Sequence, residues 1–287
     1  MTSLLIPAQE KMPLRLISTF VCLPHAAQRS SKFTSEYLLR RGAMRNAFIF
    51  DVDGTLTPSR VIISDEFREF FTKFCQEYDV YLVSGSDHAK TLEQLGKEIT
   101  DDLVKRVYSC SGNSIWENGV EIYASPWTLP AAGINHLRDR LLGSKCPVKT
   151  GNHFEYRPGT VNFSTVGRNA NTKQRVEYVK FDNETGERAS IVESFNTYFG
   201  SRLNCTALIG GETGIDITET NHVKSQILTD FVDRDVTFFG DRTAVGGNDY
   251  PLAAAILQRL RPNDVVFPVT SWRDTMFYLT QIIKDIK

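Results

Sequence analysis

Two aspartates one residue apart, Asp51 and Asp53, follow directly on the apolar run AFIF (residues 47–50), and Gly54 and Thr55 come next. A strand that ends this way delivers carboxylates to its carboxyl end, where open α/β sheets bind their ligands. In extended backbone residues i and i+2 face the same side. One carboxylate can then face an electrophilic centre while the other reaches the atom that leaves it. The polar residues that end the other apolar runs join this pair: Ser84 after VYLV and Asp241 after VTFFG, with Lys224 near the start of the helix before the latter. Three converging carboxylates repel one another unless a cation lies between them, and hard oxygen donors with room for water suit Mg²⁺. A carboxylate so placed can attack phosphorus, with Mg²⁺ and Lys224 offsetting the charge of an incoming phosphate. Gly54 allows a tight turn whose amides can bind phosphate oxygens. Asp249, at the next helix start, suits equally a charge complementing the helix dipole and a place beside the metal.

The elements that must position these residues alternate. AFIF, VYLV and RVYS are short apolar strands. Between them lie a helix capped by Ser64, with Phe67, Phe70, Phe71 and Phe74 on one face, and a second helix over HAKTLEQLGKEI. That alternation predicts a doubly wound parallel sheet covered by helices on both faces. The middle of the chain changes style. HFEYR and TVNFSTV alternate around Pro158-Gly159, CTALIG and GIDIT around Gly210-Gly211, and a helix covers ERASIVESFNTYF. We read this as an α+β unit over residues 123–221, inserted into an α/β core made of residues 44–122 and 222–287. The core resumes with a helix, VTFFG, a helix over NDYPLAAAILQRL, the strand VVF and a last helix from Ser271.

Composition excludes several classes. Net charge is -1, so no global basic field points to nucleic acid or an anionic membrane. No apolar run approaches the ~20 residues that span a bilayer. The five cysteines are scattered without CxxC spacing, which argues against a disulfide framework or zinc and for a reducing, cytoplasmic setting. Residues 1–43 carry six Lys/Arg against Glu10 and Glu36. We read them first as the product of an upstream start codon, with Met44 just before the first strand, and second as an organellar transit peptide.

DVDGT after an apolar strand, LVSG, a lysine before FFGD, and GGND resemble the four motifs of haloacid dehalogenase superfamily phosphotransferases. Within that superfamily LVSGSDHAKTLEQLG, YRPGTVNFSTVGRNANTKQR, GGETGID and FFGDRTAVGGND resemble the eukaryotic-type phosphomannomutase family, in register from about Ala47 to VTSWRDT. The resemblance implies a haloacid dehalogenase-like core with an inserted α+β cap. It makes Asp51 the nucleophile that forms an aspartyl-phosphate and Asp53 the acid/base, with Lys224 and Ser84 in the catalytic set. Asp51, the Asp53 backbone carbonyl and Asp241 would hold Mg²⁺. Arg157, Arg168 and Arg175 match the cap arginines that grip the second phosphate of a hexose bisphosphate, and Arg60 follows the nucleophile loop. Asp216 matches a residue that binds sugar hydroxyls. The implied reaction interconverts mannose 6-phosphate and mannose 1-phosphate, feeding GDP-mannose synthesis, with hexose 1,6-bisphosphate as intermediate and activator. Relatives form homodimers through the cap.

Charge reasoning supports the cap reading separately. A mutase holds its substrate by either phosphate and needs an anion site distant from the metal, and arginine forks suit a phosphate dianion. The hairpin brings Arg157 and Arg168 together, and Arg175, seven residues on, shares a face with Arg168 if that stretch is helical. The chain also departs from the family. Gly214 stands where relatives usually have Ser, two residues before the cap aspartate, and Ser84 replaces a common glycine. YPLAAAILQRL after GGND lacks the polar residues of a second cation loop, so no second metal is expected. Two competing readings are a sugar-phosphate phosphatase on the same scaffold and a catalytically silent sugar-phosphate binder. The intact Asp51, Asp53, Lys224 and Asp241 set argues against the silent binder.

Overall fold

The computed structural model describes residues 46–286, so the readings made for residues 1–43 lie outside the described residues. Strand β1 (Asn46–Phe50) is buried along its whole length. Its side chains alternate between two hydrophobic layers. Phe48 and Phe50 face α1 (Asp65–Glu77) and α7 (Trp272–Ile286), while Ala47 and Ile49 pack with Phe238, Leu252 and Ile256 on the opposite side. This is the two-sided burial that a central parallel strand requires. Ser64 caps α1 through the Phe67 N–H, and Phe67, Phe71 and Phe74 are buried on one face of it. The Phe48 and Phe74 rings meet edge to face at 5.0 Å between centroids. Truncating Phe71 to Ala would cost about 3–5 kcal/mol, the usual range for a buried aromatic.

The large sheet adds β2 (Val80–Val83), β3 (Arg106–Ser109), β4 (Ser114–Glu117), β5 (Val120–Ala124), β10 (Asp235–Gly240) and β11 (Val265–Pro268). Its order is β11-β10-β1-β2-β3-β4-β5. The first five strands run parallel, but β4 and β5 are antiparallel, so the sheet is mixed. The sequence reading did not name this edge hairpin. Its signal was the Asn118-Gly119 pair, both residues at positive φ (51° and 72°), which is what a tight hairpin turn demands. The second helix is also shorter than expected. Helix α2 (His88–Leu95) stops at Gly96, where φ is 81° and a Cβ would lie 2.9 Å from the Arg68 guanidinium. A separate turn of helix over Glu98–Leu103 follows.

The cap is an antiparallel sheet of β6 (Phe154–Arg157), β7 (Thr160–Phe163), β8 (Cys205–Gly210) and β9 (Gly214–Glu219), in the order β6-β7-β9-β8. Val161, Phe163, Ile215 and Ile217 point to one face and pack on α3 (Ala131–Gly143) and α5 (Glu187–Phe195). Strand alternation then puts Glu155, Asn162 and Asp216 in a row on the opposite face, because they are register partners. Helix α4 (Thr172–Thr185) starts with a capping box between Asn171 and Gln174. Arg168 therefore lies before the helix, so the helical-face argument for its pairing with Arg175 does not hold.

Candidate active site

The carboxyl ends of β1 and β10 and the cavity-facing side of the cap enclose one pocket. Asp51 follows β1 and is buried, with its N–H bonded to the Phe239 carbonyl of the neighbouring strand at 2.9 Å. Lys224, at the start of a 3₁₀ segment over Lys224–Phe231, is 1% exposed and donates to Asp51 Oδ1 at 2.5 Å and Asp249 Oδ1 at 2.6 Å. Carboxylate oxygens of Asp51, Asp241 and Asp249 lie within 4.8 Å of one another. Asp249 does not cap α6 (Tyr250–Gln258) with its side chain; its other oxygen accepts the Arg242 N–H at 3.0 Å. It belongs to the cluster.

The protonation behaviour follows from that crowding. Burial raises the Asp51 carboxyl well above the usual range, Asp249 and Asp241 add to the rise, and Lys224 opposes it. Asp241 is pushed up to about 6, by burial first and by Asp249 second. Burial alone would pull the Lys224 ammonium down, but Asp249 and Asp51 together hold it above its ordinary value. Three carboxylates share one buried ammonium, with the Arg242 guanidinium 3.7 Å from Asp241. An all-oxygen donor set short of positive charge fits a small hard dication such as Mg²⁺. Gly54, at φ 84°, has no room for a Cβ because the Asp241 carboxylate lies against it. The loop and the third aspartate pack together only through this glycine.

Asp53 is held differently. Its Oδ1 accepts from Gln94 Nε2 at 2.9 Å and from the Arg60 N–H at 3.2 Å, which leaves Oδ2 for other partners. Gln94, buried on α2, donates also to Thr57. Arg60 adopts a left-handed conformation, φ 62°, to close this loop. Ser84 is not on the cavity wall. Its Oγ accepts the Ser86 N–H at 3.0 Å, and Gly85 and Ser86 line the cavity instead.

On the facing wall stand Arg157, Arg168 and Arg175, with Arg60 and Arg242 rising from the core side, and Gly214 and Asp216 at the floor of the cap. Glu155, which sequence reasoning missed, pairs with Arg157 at 2.9 Å and Arg168 at 2.5 Å. Two-residue spacing from Arg157 on a strand was its available signal. Arg157 also donates to the Gly85 carbonyl at 2.9 Å, joining cap to core. Arg175 pairs with Glu212 at 2.9 Å. Burial and the neighbouring Arg175 lower the Arg60 guanidinium from its ordinary value, and burial, opposed by Glu155, lowers Arg168. These are guanidiniums close enough to repel, a condition that a dianion between them relieves.

The sequence matches the family described as eukaryotic phosphomannomutase over residues 67–285. It is 35% identical over 253 residues to a probable phosphomannomutase of Caenorhabditis elegans, covering 84% of this chain and 97% of that protein. It is 35% identical over 221 residues to the phosphomannomutase of Saccharomyces cerevisiae, covering 71% and 83%. Among solved structures, a haloacid dehalogenase-like hydrolase from Bacteroides thetaiotaomicron superposes with a TM-score of 0.53 at 13% identity, over 83% of this chain and 99% of that one. Plasmodium falciparum IMP-nucleotidase gives 0.55 at 12% identity, over 85% and 71%. At such identities the structural likeness concerns the fold alone. Among the described residues no helix is long and apolar enough to cross a membrane. Family match, curated relatives and fold converge, and the chain belongs to the eukaryotic phosphomannomutase family.

Proposed function

We propose that the chain is a Mg²⁺-dependent phosphomannomutase that interconverts mannose 6-phosphate and mannose 1-phosphate through an aspartyl-phosphate and a hexose 1,6-bisphosphate. One observation carries the reading. A single cavity has a buried carboxylate cluster short of cations on one wall and converging arginines on the other. Such a cavity suits a ligand with a phosphate at each end.

In this reading Asp51 attacks the phosphorus of a sugar phosphate and becomes the phosphoryl carrier. Lys224, bonded to Asp51, offsets charge on the transferring group and fixes the direction of attack. Asp53 protonates the leaving sugar oxygen, then takes the proton from the sugar hydroxyl that attacks the aspartyl-phosphate. Asp51, Asp241 and the Asp53 carbonyl would hold Mg²⁺, which supplies charge neutralisation on the phosphoryl oxygens. Arg157, Arg168, Arg175 and Arg60 grip the phosphate that is not reacting, and Asp216 accepts from a sugar hydroxyl. The grip retains the bisphosphate while it turns end for end, so that the other phosphate meets Asp51. The division into core and inserted cap, at residues 123–221, gives the grip a body that can close over the core; β5 carries the core sheet two residues into that span.

The test is to treat the protein with Mg²⁺ and hexose 1,6-bisphosphate, quench, trap the labile acyl phosphate with hydroxylamine, and map the modified residue by mass spectrometry. The proposal requires the modification on the peptide containing Asp51. Modification of any other residue, or of none under turnover conditions, overturns it.

A further inference from the structure

Asn162 stands between the two grips of the cap. It is the register partner of Glu155 on β6 and of Asp216 on β9, and all three face the cavity side of the sheet. Its Nδ2 donates to Asp216 Oδ1 at 2.7 Å, and its Oδ1 accepts from Arg168 Nη1 at 3.3 Å. It is 4% exposed. A neutral amide can serve both neighbours at once, because it offers a donor to the carboxylate and an acceptor to the guanidinium. No charged side chain of that size could do so.

The second observation concerns Gly214, which opens β9 two residues before Asp216. Its backbone is not left-handed, so conformation does not demand glycine there. Space does. A Cβ at 214 would lie 2.6 Å from Asn162 Nδ2 and 3.1 Å from its Oδ1, inside ordinary contact distance. Gly210, paired opposite Gly214, leaves similar room for the other oxygen of Asp216. With Oδ1 anchored by Asn162, Asp216 keeps Oδ2 for a ligand hydroxyl.

We propose that Asn162 is a positioning residue that sets sugar specificity by tying Arg168 to Asp216, and that Gly214 is the position that leaves it room. The specificity half rests on the functional reading above, and the steric half on packing alone. Removing the amide frees Asp216 to follow hydroxyls of different orientation, so discrimination between epimers weakens.

The experiment is a double-mutant cycle of Asn162→Ala and Gly214→Ala, read in two ways. With hexose 1,6-bisphosphate present, Asn162→Ala should lower kcat/KM for mannose 1-phosphate about tenfold and shift its ratio to glucose 1-phosphate at least about threefold. Gly214→Ala should shift the ratio the same way in the wild type and change it less than about twofold in the Asn162→Ala background. A ratio that stays at the wild-type value while both rates fall together overturns the specificity role. Thermal unfolding of the four proteins reads the packing without any substrate. Additive Tm changes overturn the steric pairing and leave the functional reading standing. A wild type that turns over neither sugar phosphate sinks the functional reading itself, and with it the specificity role.

Discussion

On the core wall of the cavity Asp51, Asp241 and Asp249 crowd around one buried ammonium; on the cap wall Arg157, Arg168 and Arg175 share Glu155 and Glu212. The first wall lacks positive charge and the second lacks negative charge. Each is stabilised by protein partners only in part, and in the proposed function each would be completed by a different end of one ligand complex: a dication on one side, a phosphate on the other. The walls also differ in what positions them. The core cluster hangs on strand ends and a loop that glycine allows to pass, whereas the cap wall depends on which way long side chains reach across a sheet. Loss of a core group should therefore stop the chemistry, and loss of a cap group should weaken holding.

The largest effect is expected at Asp51. Asp51→Asn should lower turnover by more than about a thousandfold and abolish phosphoenzyme formation, because a carboxamide is too weak a nucleophile for phosphorus. Residual turnover near the wild-type rate would remove Asp51 from the assigned role. Next is Asp53→Asn, which should still become phosphorylated on Asp51 by an aryl phosphate with a good leaving group. It should transfer that group onward about 10²–10⁴-fold more slowly, the usual contribution of general acid–base catalysis. Fast single-turnover release by that variant would put the acid/base elsewhere.

On the cap side, Arg168→Ala or Arg175→Ala should weaken hexose bisphosphate binding by about 1.5–3 kcal/mol each, the scale of charge-assisted hydrogen bonds. Calorimetric titration measures this. Hydrolysis of a small aryl phosphate that does not reach the cap should fall far less. An equal loss on both would mean that these arginines hold the fold together, and the contrast between the walls would collapse.

The smallest effect is a pH dependence confined to the core wall. The Asp241 carboxyl sits at about 6 in the folded protein, so the native state holds that proton more tightly than the unfolded chain does. Its contribution to stability is fully present below the ordinary carboxylate range and is lost as pH rises through about 6. In chelator, the wild type should therefore lose more Tm than Asp241→Asn between about pH 5 and about pH 7, by a few degrees. Added Mg²⁺ should remove the difference by binding the charged form. Parallel pH profiles for the two proteins would contradict this account of the cluster.

The two walls were unequally legible in the sequence. Asp51, Asp53, Lys224 and Asp241 each sit at a strand end or at the start of a helical turn, so local pattern suffices to find them. Asp249 remained ambiguous because the dipole argument and the cluster argument make the same residue type at the same position reasonable. The cap arginines do line one cavity, but not by helical periodicity: α4 begins after Arg168, and it is the loop before the helix that turns Arg168 toward Glu155. Glu155, Asn162 and Gln94 escaped because their roles depend on register partners or on a helix face 41 residues away in sequence. Ser84 follows its strand as read, with its hydroxyl accepting the Ser86 N–H while Gly85 and Ser86 line the cavity, a local turn that strand pattern does not show. The β4–β5 hairpin was missed although its Asn-Gly turn stood in plain view, because the parallel alternation on either side dominated the pattern.

The measurement that bears most directly on the two-walled site is the fate of the phosphoryl group. The wild-type protein is incubated with Mg²⁺ and mannose 1-phosphate, with and without catalytic hexose 1,6-bisphosphate, and phosphorus NMR follows every species. Slow conversion to mannose 6-phosphate, strongly accelerated by the bisphosphate and with free phosphate a minor product, is the predicted result, since in the proposed function the cap arginines would retain the intermediate until transfer is complete. Free phosphate rising in step with substrate loss, without stimulation by the bisphosphate, would contradict it and make the chain a sugar-phosphate phosphatase.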